Sequence, residues 1–92
     1  MNKSQLIKTL AERLSISIEE ATVIVSTFFD SIKEALKAGK RVEIRGFGSF
    51  KIKEYQGYTG RNPSSGELVQ VKPKKLPFFR VGKGLKEYIN QS

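Results

Sequence analysis

The most distinctive chemistry in this sequence lies at Arg61, Asn62 and Pro63, which stand between Gly60 and a Ser-Ser-Gly segment at 64–66. A guanidinium group binds phosphate or carboxylate through its fork of N–H donors. The proline adds a rigid ring that has no N–H. Gly, Asn, Pro and Ser residues in such a cluster are typical of a turn. A cation and an apolar ring at the end of a turn suit contact with a polyanion better than they suit catalysis.

Catalytic and metal-dependent functions are disfavoured by the composition. The sequence contains no Cys and no His, so disulfides, thiolate metal sites and Ser–His or Cys–His nucleophiles cannot form. The acidic pairs Glu19–Glu20 and Asp30–Glu34 are expected on helix surfaces, with no nucleophile to activate. We therefore predict that the protein is not an enzyme and that it binds neither a metal ion nor a cofactor.

The charge is distributed unevenly along the chain. The 92 residues carry a net charge of +8. Residues 1–39 contain five basic and five acidic side chains, whereas residues 40–92 contain 12 basic and 4 acidic ones and thus hold the entire excess. Such asymmetry indicates nucleic acid or an anionic membrane as partner, and solubility alone does not require it.

A membrane function is not supported by the hydropathy pattern. No apolar run approaches the ~20 residues that a transmembrane helix needs. The polar start of the sequence lacks the apolar segment of a secretory signal. We expect a cytoplasmic protein with no membrane partner.

Two helices are predicted in residues 1–39. Asn2 and Ser17 are each followed three positions later by Gln or Glu, which is the spacing of a capping box at a helix start. Apolar residues at helical spacing continue to about Leu14 in the first helix. Gly39 supplies a left-handed stop after the second helix.

The second predicted helix is apolar around too much of its circumference for one partner. Its apolar stripe includes Val25, Phe28 and Phe29. An ordinary core helix between the first helix and a sheet would use part of that stripe. A domain of this length also buries a thin core, and oligomerisation is a common remedy. We therefore expect a second subunit to cover the remainder.

The second part of the chain predicts strands. Residues 40–45 alternate charged and apolar side chains, as a short strand does. A tight turn with Phe47 as a core anchor follows, and its glycines, Gly46 and Gly48, allow positive φ. A long hairpin then runs from Phe50 to Phe79. Its outer part, about residues 54–75, has few large apolar residues and should form a projecting arm that is mobile until it is bound.

The predicted fold is a single α+β domain over residues 1–92. It has two N-terminal helices, a three-stranded antiparallel sheet with a long protruding β-arm, and a short C-terminal helix at 83–90. We expect residues 80–82 to break the last strand. Gly84 is unfavourable for the final helix.

In its order of motifs the chain resembles the bacterial HU and integration host factor family of DNA-architectural proteins. The resemblance rests on residues 2–7, residues 46–50, the Gly-Arg-Asn-Pro segment at 60–63 with Gly66, and residues 79–86. It covers essentially the whole chain. Such a family implies an intertwined dimer in which two β-arms wrap the minor groove of double-stranded DNA, and a location at the nucleoid.

The resemblance assigns roles to particular residues. It implies Pro63 as a wedge between base pairs, Arg61 as the tip cation, and Asn62 as a further DNA contact. Two larger groups follow. The aromatic dimer core would be Phe47, Phe50 and Phe79, and the phosphate contacts of the body would be Arg80, Lys83 and Lys86. The wide apolar stripe of the second helix, independently of the resemblance, adds Phe28 and Phe29 to the expected dimer core.

The sequence departs from the family in the arm, where Tyr55 and Tyr58 replace arginines that the family usually carries. The tyrosines would contact phosphate or sugar, or stack on one another and stiffen the arm, and we favour stiffening. The remaining cations, which we also expect to contact DNA, lie near the root of the arm, at Lys51, Lys53, Lys72, Lys74 and Lys75.

Binding in the minor groove implies weak sequence preference, because this groove offers a nearly degenerate base pattern. An apolar wedge there also implies a preference for bent or distorted duplex. Two other binding functions remain open. One is RNA binding, in which exposed aromatics stack on bases. The other is a sequence-preferring subunit of a heterodimer, as in integration host factor. A homodimer and a heterodimer are both compatible with one sequence.

Overall fold

The computed structural model describes residues 1–91 and begins with two helices. Helix α1 spans Lys3–Leu14 and helix α2 spans Ile18–Lys37. Both predicted capping boxes are present. At α1 the Gln5 N–H donates to the Asn2 side chain at 2.9 Å, and the Asn2 N–H donates to the Gln5 side chain at 2.9 Å. These reciprocal bonds satisfy N–H groups that have no partner within the helix.

The helix ends also follow the prediction. Ser15 closes α1 in the left-handed region, at φ 54°. Gly39 adopts φ +76° just beyond α2, a conformation that glycine reaches without steric cost. The chain can therefore reverse from α1 into α2 and then leave α2 for the sheet.

Five strands and a third helix follow. They are β1 (Val42–Ile44), β2 (Gly48–Tyr55), β3 (Tyr58–Arg61), β4 (Leu68–Val71), β5 (Lys74–Val81) and α3 (Lys83–Ile89). Strands β1, β2 and β5 form one antiparallel sheet with β2 in the centre, and β3 and β4 form a second, two-stranded sheet. We call the three-stranded sheet the body sheet and the segment from Gln56 to Pro73 the arm.

The predicted three-stranded antiparallel sheet with a protruding β-arm is confirmed, but the long hairpin that forms the arm is interrupted. Strand pairing stops after Tyr55↔Lys74 and resumes at Tyr58↔Val71, and the register is unchanged across the gap. The hairpin from β2 to β5 is therefore one ribbon, and each of its two strands is interrupted for two residues at the base of the arm. At this break a Cβ on Gly57 would lie 2.6 Å from the Val71 carbonyl oxygen and 2.9 Å from Cδ of Pro73.

One detail of the prediction, the end of the last strand, is corrected. Residues 80 and 81 do not break the last strand, because Arg80 and Val81 pair with Ser49 and Gly48 and extend β5. Of the two glycines beside Phe47, Gly46 has a positive φ, at +84°, and Gly48 does not. Gly48 is instead required by close packing, since a Cβ there would lie 2.5 Å from Cζ of Phe79 and 2.6 Å from the Arg80 carbonyl oxygen.

The core of a single chain is small. The buried apolar side chains in the described part are Ala11, Ala21 and Val25, whereas Phe28 is 51% exposed and Phe47 46% exposed. An open apolar groove runs between α1 and α2, and its lining consists of Leu6, Leu10, Ile24, Val25, Phe28 and Phe29. Burying these side chains is worth roughly 25 cal/mol per Å². This groove includes the part of the α2 apolar stripe that the sequence analysis expected a second subunit to cover.

Candidate nucleic-acid interface

The register of β2 and β5 gives the body sheet two chemically different faces. Successive side chains of a strand point to opposite faces. Phe50 lies opposite Phe79 and Ile52 lies opposite Pro77 on one face, which we call the aromatic face. The Phe79 ring contacts two other rings there, with centroid separations of 4.8 Å to Phe50 and 5.8 Å to Phe47.

The other face carries most of the charge, and we call it the cationic face. Its residues on β2 and β5 are Ser49, Lys51, Lys53, Tyr55, Lys74, Leu76, Phe78 and Arg80. The structure thus brings four predicted site cations together on one surface. Lys75 lies on the aromatic face instead, because it alternates with Lys74 and Leu76 along β5. Its Nζ lies 3.6 Å from the carboxylate of Glu54, its cross-strand partner. Lys72 lies in the pairing gap at the arm root.

The cationic face continues onto β1, which the sequence analysis did not include among the candidate sites. Glu43 pairs with Ser49, so Glu43 belongs to the same face. Arg41 and Arg45 line one shallow pocket together with Glu43, Ser49, Arg80 and Lys83. Within residues 1–91, Glu43 has no ion-pair partner within 4.0 Å. The alternation of charged residues 41, 43 and 45 with inward Val42 and Ile44 was the signal that could have placed the two arginines there.

Helix α3 is held against the turn between β1 and β2. The Leu85 N–H donates to the Gly46 carbonyl at 2.8 Å, and the Gly82 N–H donates to the Phe47 carbonyl at 2.9 Å. A Cβ on Gly84 would lie 2.9 Å from the Gly46 carbonyl oxygen. Gly84 has an unfavourable helix propensity, but the absence of a side chain there lets α3 approach the turn closely.

The two predicted cations of α3 lie on this docked helix. Lys83 lines the same pocket as Arg80, and its Nζ lies 3.9 Å from the Glu87 carboxylate. Lys86 stands in the last turn of α3 and is exposed. An exposed ion pair of this kind is worth little, so Lys83 remains available to another anion.

The tip of the arm is an ordered turn. The Asn62 side-chain oxygen accepts from the Ser64 N–H at 2.8 Å and from the Ser65 N–H at 3.4 Å. The Asn62 backbone N–H donates to the Glu67 carbonyl at 2.8 Å. Gly66 closes the loop at φ +72°. The side-chain oxygen of Asn62 is thus engaged within the loop, and the DNA contact of Asn62 stays a prediction.

Pro63 and Arg61 occupy the exposed end of this turn. Pro63 is exposed and lies in the turn between Asn62 and Ser64, whose N–H donates to the Asn62 side chain. The Arg61 Nη1 group donates to the Gly66 carbonyl at 3.4 Å, which is a long and weak bond. A guanidinium group held this weakly can exchange its partner for a phosphate.

The two tyrosines do not stack. The ring pairs in the described part of the chain are Phe28–Phe29, Phe47–Phe79 and Phe50–Phe79. Stacking of Tyr55 on Tyr58 was therefore a wrong expectation, because the pairing gap between β2 and β3 separates them. The Tyr58 ring instead lies beside Gly60, where a Cβ would be 3.3 Å from Cε2 of that ring. Tyr55 lines an open cleft at the arm root with Gly57 and Pro73.

The predicted dimer-core aromatics form two separate groups. Phe28 and Phe29 meet edge to face at 5.4 Å beside the α1–α2 groove, and Phe29 also lines a second groove next to Met1. The second group consists of Phe47, Phe50 and Phe79. Each group is only partly covered by its own chain.

The described residues also bear on two other kinds of site, a metal centre and a membrane span. Across residues 1–91, no three acidic side chains gather closely enough to hold a metal ion. None of the helices described has the length and apolarity needed to cross a membrane. The candidate interface therefore consists of the cationic face, its extension onto β1 and α3, and the tip of the arm.

Comparison with known proteins finds relatives over nearly the whole chain. DNA-binding protein HU of Geobacillus stearothermophilus is 43% identical over 89 residues, which cover 97% of this chain and 99% of the relative. DNA-binding protein HU 1 of Bacillus subtilis is 40% identical over 97% of both chains. Among solved structures, the protein of an Anabaena HU–DNA cocrystal matches with a TM-score of 0.87 and 32% identity over 100% of both chains. HU from Thermotoga maritima matches with a TM-score of 0.68 and 30% identity over 98% of this chain and 100% of that one.

The family described as Bacterial DNA-binding protein matches residues 1–90, so the match includes the helices, the body sheet, the arm and α3. The chain belongs to this family of bacterial DNA-binding proteins.

Proposed function

We propose that this protein is an architectural DNA-binding protein that acts as a dimer, binding and bending double-stranded DNA with little dependence on sequence. The observation that carries the proposal is the continuity of the cationic face with an arm that ends in Arg61 and Pro63. The family is one of DNA-binding proteins rather than enzymes, in agreement with the absence of His and Cys. Its cellular role would be nucleoid compaction and assistance to replication, recombination and transcription, in the cytoplasm of a bacterium.

The arm has the dimensions needed to follow a groove. Ten residues of a strand rise about 33 Å, which is close to the ~34 Å of one turn of B-DNA. The described chain is 60 Å along its longest axis. An arm of this length in the minor groove reads groove width and deformability, because the base pattern there is nearly degenerate.

The tip provides the bending element. An apolar ring that enters a base step unstacks it, at a cost of a few kcal/mol, and kinks the duplex by roughly 20–90°. Pro63 suits this role because it leaves no unsatisfied N–H in the stack. Arg61 beside it adds charge where a narrow groove concentrates negative potential.

The body of the protein then stabilises the bent duplex. A kink at the tip brings the flanking DNA towards Arg80, Lys83 and Lys86, and towards Arg41 and Arg45 on β1. Each phosphate that is neutralised there releases counterions. These contacts offset the cost of unstacking, and they hold for any sequence because they involve the backbone alone.

Binding to labelled nucleic acids tests the proposal. We expect the tightest binding for a nicked duplex or a four-way junction, weaker binding for a straight duplex, and the weakest for an RNA hairpin. If a dimer neutralises about 6–10 phosphates, the slope of log affinity against log salt should be about −5 to −9. Arg80→Gln should reduce that slope by about one for each engaged subunit, whereas Lys33→Gln, which removes a cation near Asp30 on α2, should not.

The same experiment separates the alternatives. Preferred binding of the RNA hairpin would favour an RNA function that uses Tyr55 and Phe78 as exposed aromatics on the cationic face. Binding of one duplex sequence far above all others would favour a sequence-preferring subunit. Failure of the isolated chain to form a dimer would point to a heterodimer with a related subunit.

A further inference from the structure

Phe78 is an aromatic residue in the middle of the cationic face. It lies directly opposite Lys51 on β2, while its neighbour Phe79 points to the aromatic face. The Phe78 side chain is 37% exposed. Nζ of Lys53 lies 3.7 Å from the centroid of its ring, and Nζ of Lys51 lies 5.8 Å from it. One ring therefore attracts two ammonium groups from the same strand.

Lys53 differs from the other cations of the chain in its burial. Of the 17 Lys and Arg side chains, all of which lie in the described part of the chain, Lys53 is the only one that is half-buried, and the others are exposed. Leu76 is its direct cross-strand partner. Long lysine stems can cover apolar surface while the charged end stays in contact with water. The ammonium group of Lys53 lies over the Phe78 ring and its side chain is half-buried, so we expect its position to be more restricted than that of a free surface lysine.

We propose that Phe78 is a positioning residue that fixes the ammonium groups of Lys53 and Lys51 on the cationic face, where together they bind one backbone phosphate at the root of the arm. This inference rests on the proposed DNA-binding function. A free lysine loses considerable rotamer freedom when it binds a phosphate. A lysine already held over a ring has lost part of that freedom before binding, so its phosphate contact is stronger.

The geometry favours this indirect role over direct contact between the ring and DNA. The ammonium group of Lys53 lies over the Phe78 ring, so a base that stacked on that side would first have to displace the cation. The phosphate backbone, by contrast, can approach the ammonium groups while the ring stays behind them. Phe78 then affects affinity for any sequence and leaves the number of cations unchanged.

A first test uses the free protein and needs no DNA. Protons above an aromatic ring are shielded, so the ε-CH₂ protons of Lys53 should resonate upfield of those of Lys37, an exposed lysine at the end of α2. Phe78→Leu keeps an apolar side chain and removes the ring, and should abolish the shift. Phe78→Tyr keeps the ring and should retain it. Equal shifts for Lys53 and Lys37 in the native protein would overturn the proposal without recourse to any variant.

A second test measures binding to a straight duplex. Phe78→Leu should weaken binding by about threefold to tenfold for a dimer with two such sites, with an unchanged salt slope, and Phe78→Tyr should bind as the native protein does. In a Lys51→Gln/Lys53→Gln background, Phe78→Leu should have less than about a twofold further effect, because the groups that it positions are gone. Native affinity for Phe78→Leu, or an equal loss in both backgrounds, would overturn the positioning role. If the native protein itself fails to bind duplex, the proposed function fails instead.

Discussion

The side-chain oxygen of Asn62 accepts a 2.8 Å hydrogen bond from the backbone N–H of Ser64, and Pro63 is the residue between them. A second bond from the Ser65 N–H and the left-handed Gly66 complete the loop. Short polar side chains that bind a backbone N–H two residues later mimic a backbone turn. Asn62 therefore gives Pro63 a defined position in the absence of DNA.

Asn62→Ala should loosen the tip without affecting the body. We expect the Ser64 and Ser65 amides to lose their acceptor and to show larger temperature coefficients of chemical shift. Asn62→Asp retains an acceptor oxygen and should preserve the turn. Ser64→Ala is the matched control, since the Ser64 backbone N–H, not its hydroxyl, donates to Asn62. A native Ser64 amide signal in Asn62→Ala would contradict the role of Asn62 in shaping the loop.

Gly48→Ala should destabilise the protein by packing rather than by backbone strain. Its Cβ would collide with the Phe79 ring and with the Arg80 carbonyl oxygen, and backbone atoms cannot move aside cheaply. We expect a loss of about 3 kcal/mol in the free energy of unfolding. Gly39→Ala should cost only about 1 kcal/mol of unfolding free energy. An added Cβ there would contact no other atom, so the only cost is that alanine must adopt the left-handed φ of +76°. Urea unfolding of both variants checks this order, and equal losses would refute it.

Phe29→Glu should convert the protein from a dimer to a monomer. Phe29 lines both apolar grooves on the helical part, and a carboxylate buried there without a partner is costly. Val23→Glu is the control, because Val23 is 65% exposed and lines neither groove. Light scattering at micromolar concentration should report a dimer for the native protein and for Val23→Glu. A native monomer would contradict the proposed assembly.

The arm should exchange its amide hydrogens faster than the body in free protein. Strands β3 and β4 contact mainly each other, their side chains are largely exposed, and the pairing gap separates them from the body sheet. Few buried contacts oppose local opening. We expect fast exchange over β3 and β4 and slow exchange around Ala21 and Val25 in α2. Equal protection of Tyr58 and Val25 would show that the arm is rigid without DNA.

The local elements followed from the sequence where a local signal determines them. Capping boxes at Asn2 and Ser17 fixed both helix starts, and the left-handed Gly39 fixed the end of α2. The turn cluster at the arm tip was identified for the same reason. Each of these features depends on contacts within a few residues.

The features that the sequence analysis missed depend on contacts between distant parts of the chain. The requirement for Gly48 comes from the Phe79 ring, and that for Gly84 comes from the Gly46 carbonyl, 38 positions away. The pairing of Lys53 with Phe78 follows from the hairpin register. A pattern of residue types contains no information about which rings and carbonyls will meet, so these relationships emerged only with the fold.

The most direct test of the account is the bend imposed on DNA by the native protein and by Pro63→Ala. Dyes at the two ends of a short duplex report the end-to-end distance by fluorescence transfer at saturating protein. Native protein and the control Ser64→Ala should shorten this distance. Pro63→Ala should bind with nearly the same salt slope, because no cation is lost, and should leave the duplex longer and less bent. A duplex equally shortened by Pro63→Ala would contradict the wedge role of Pro63, and a native protein that binds without shortening the duplex would contradict the architectural function itself.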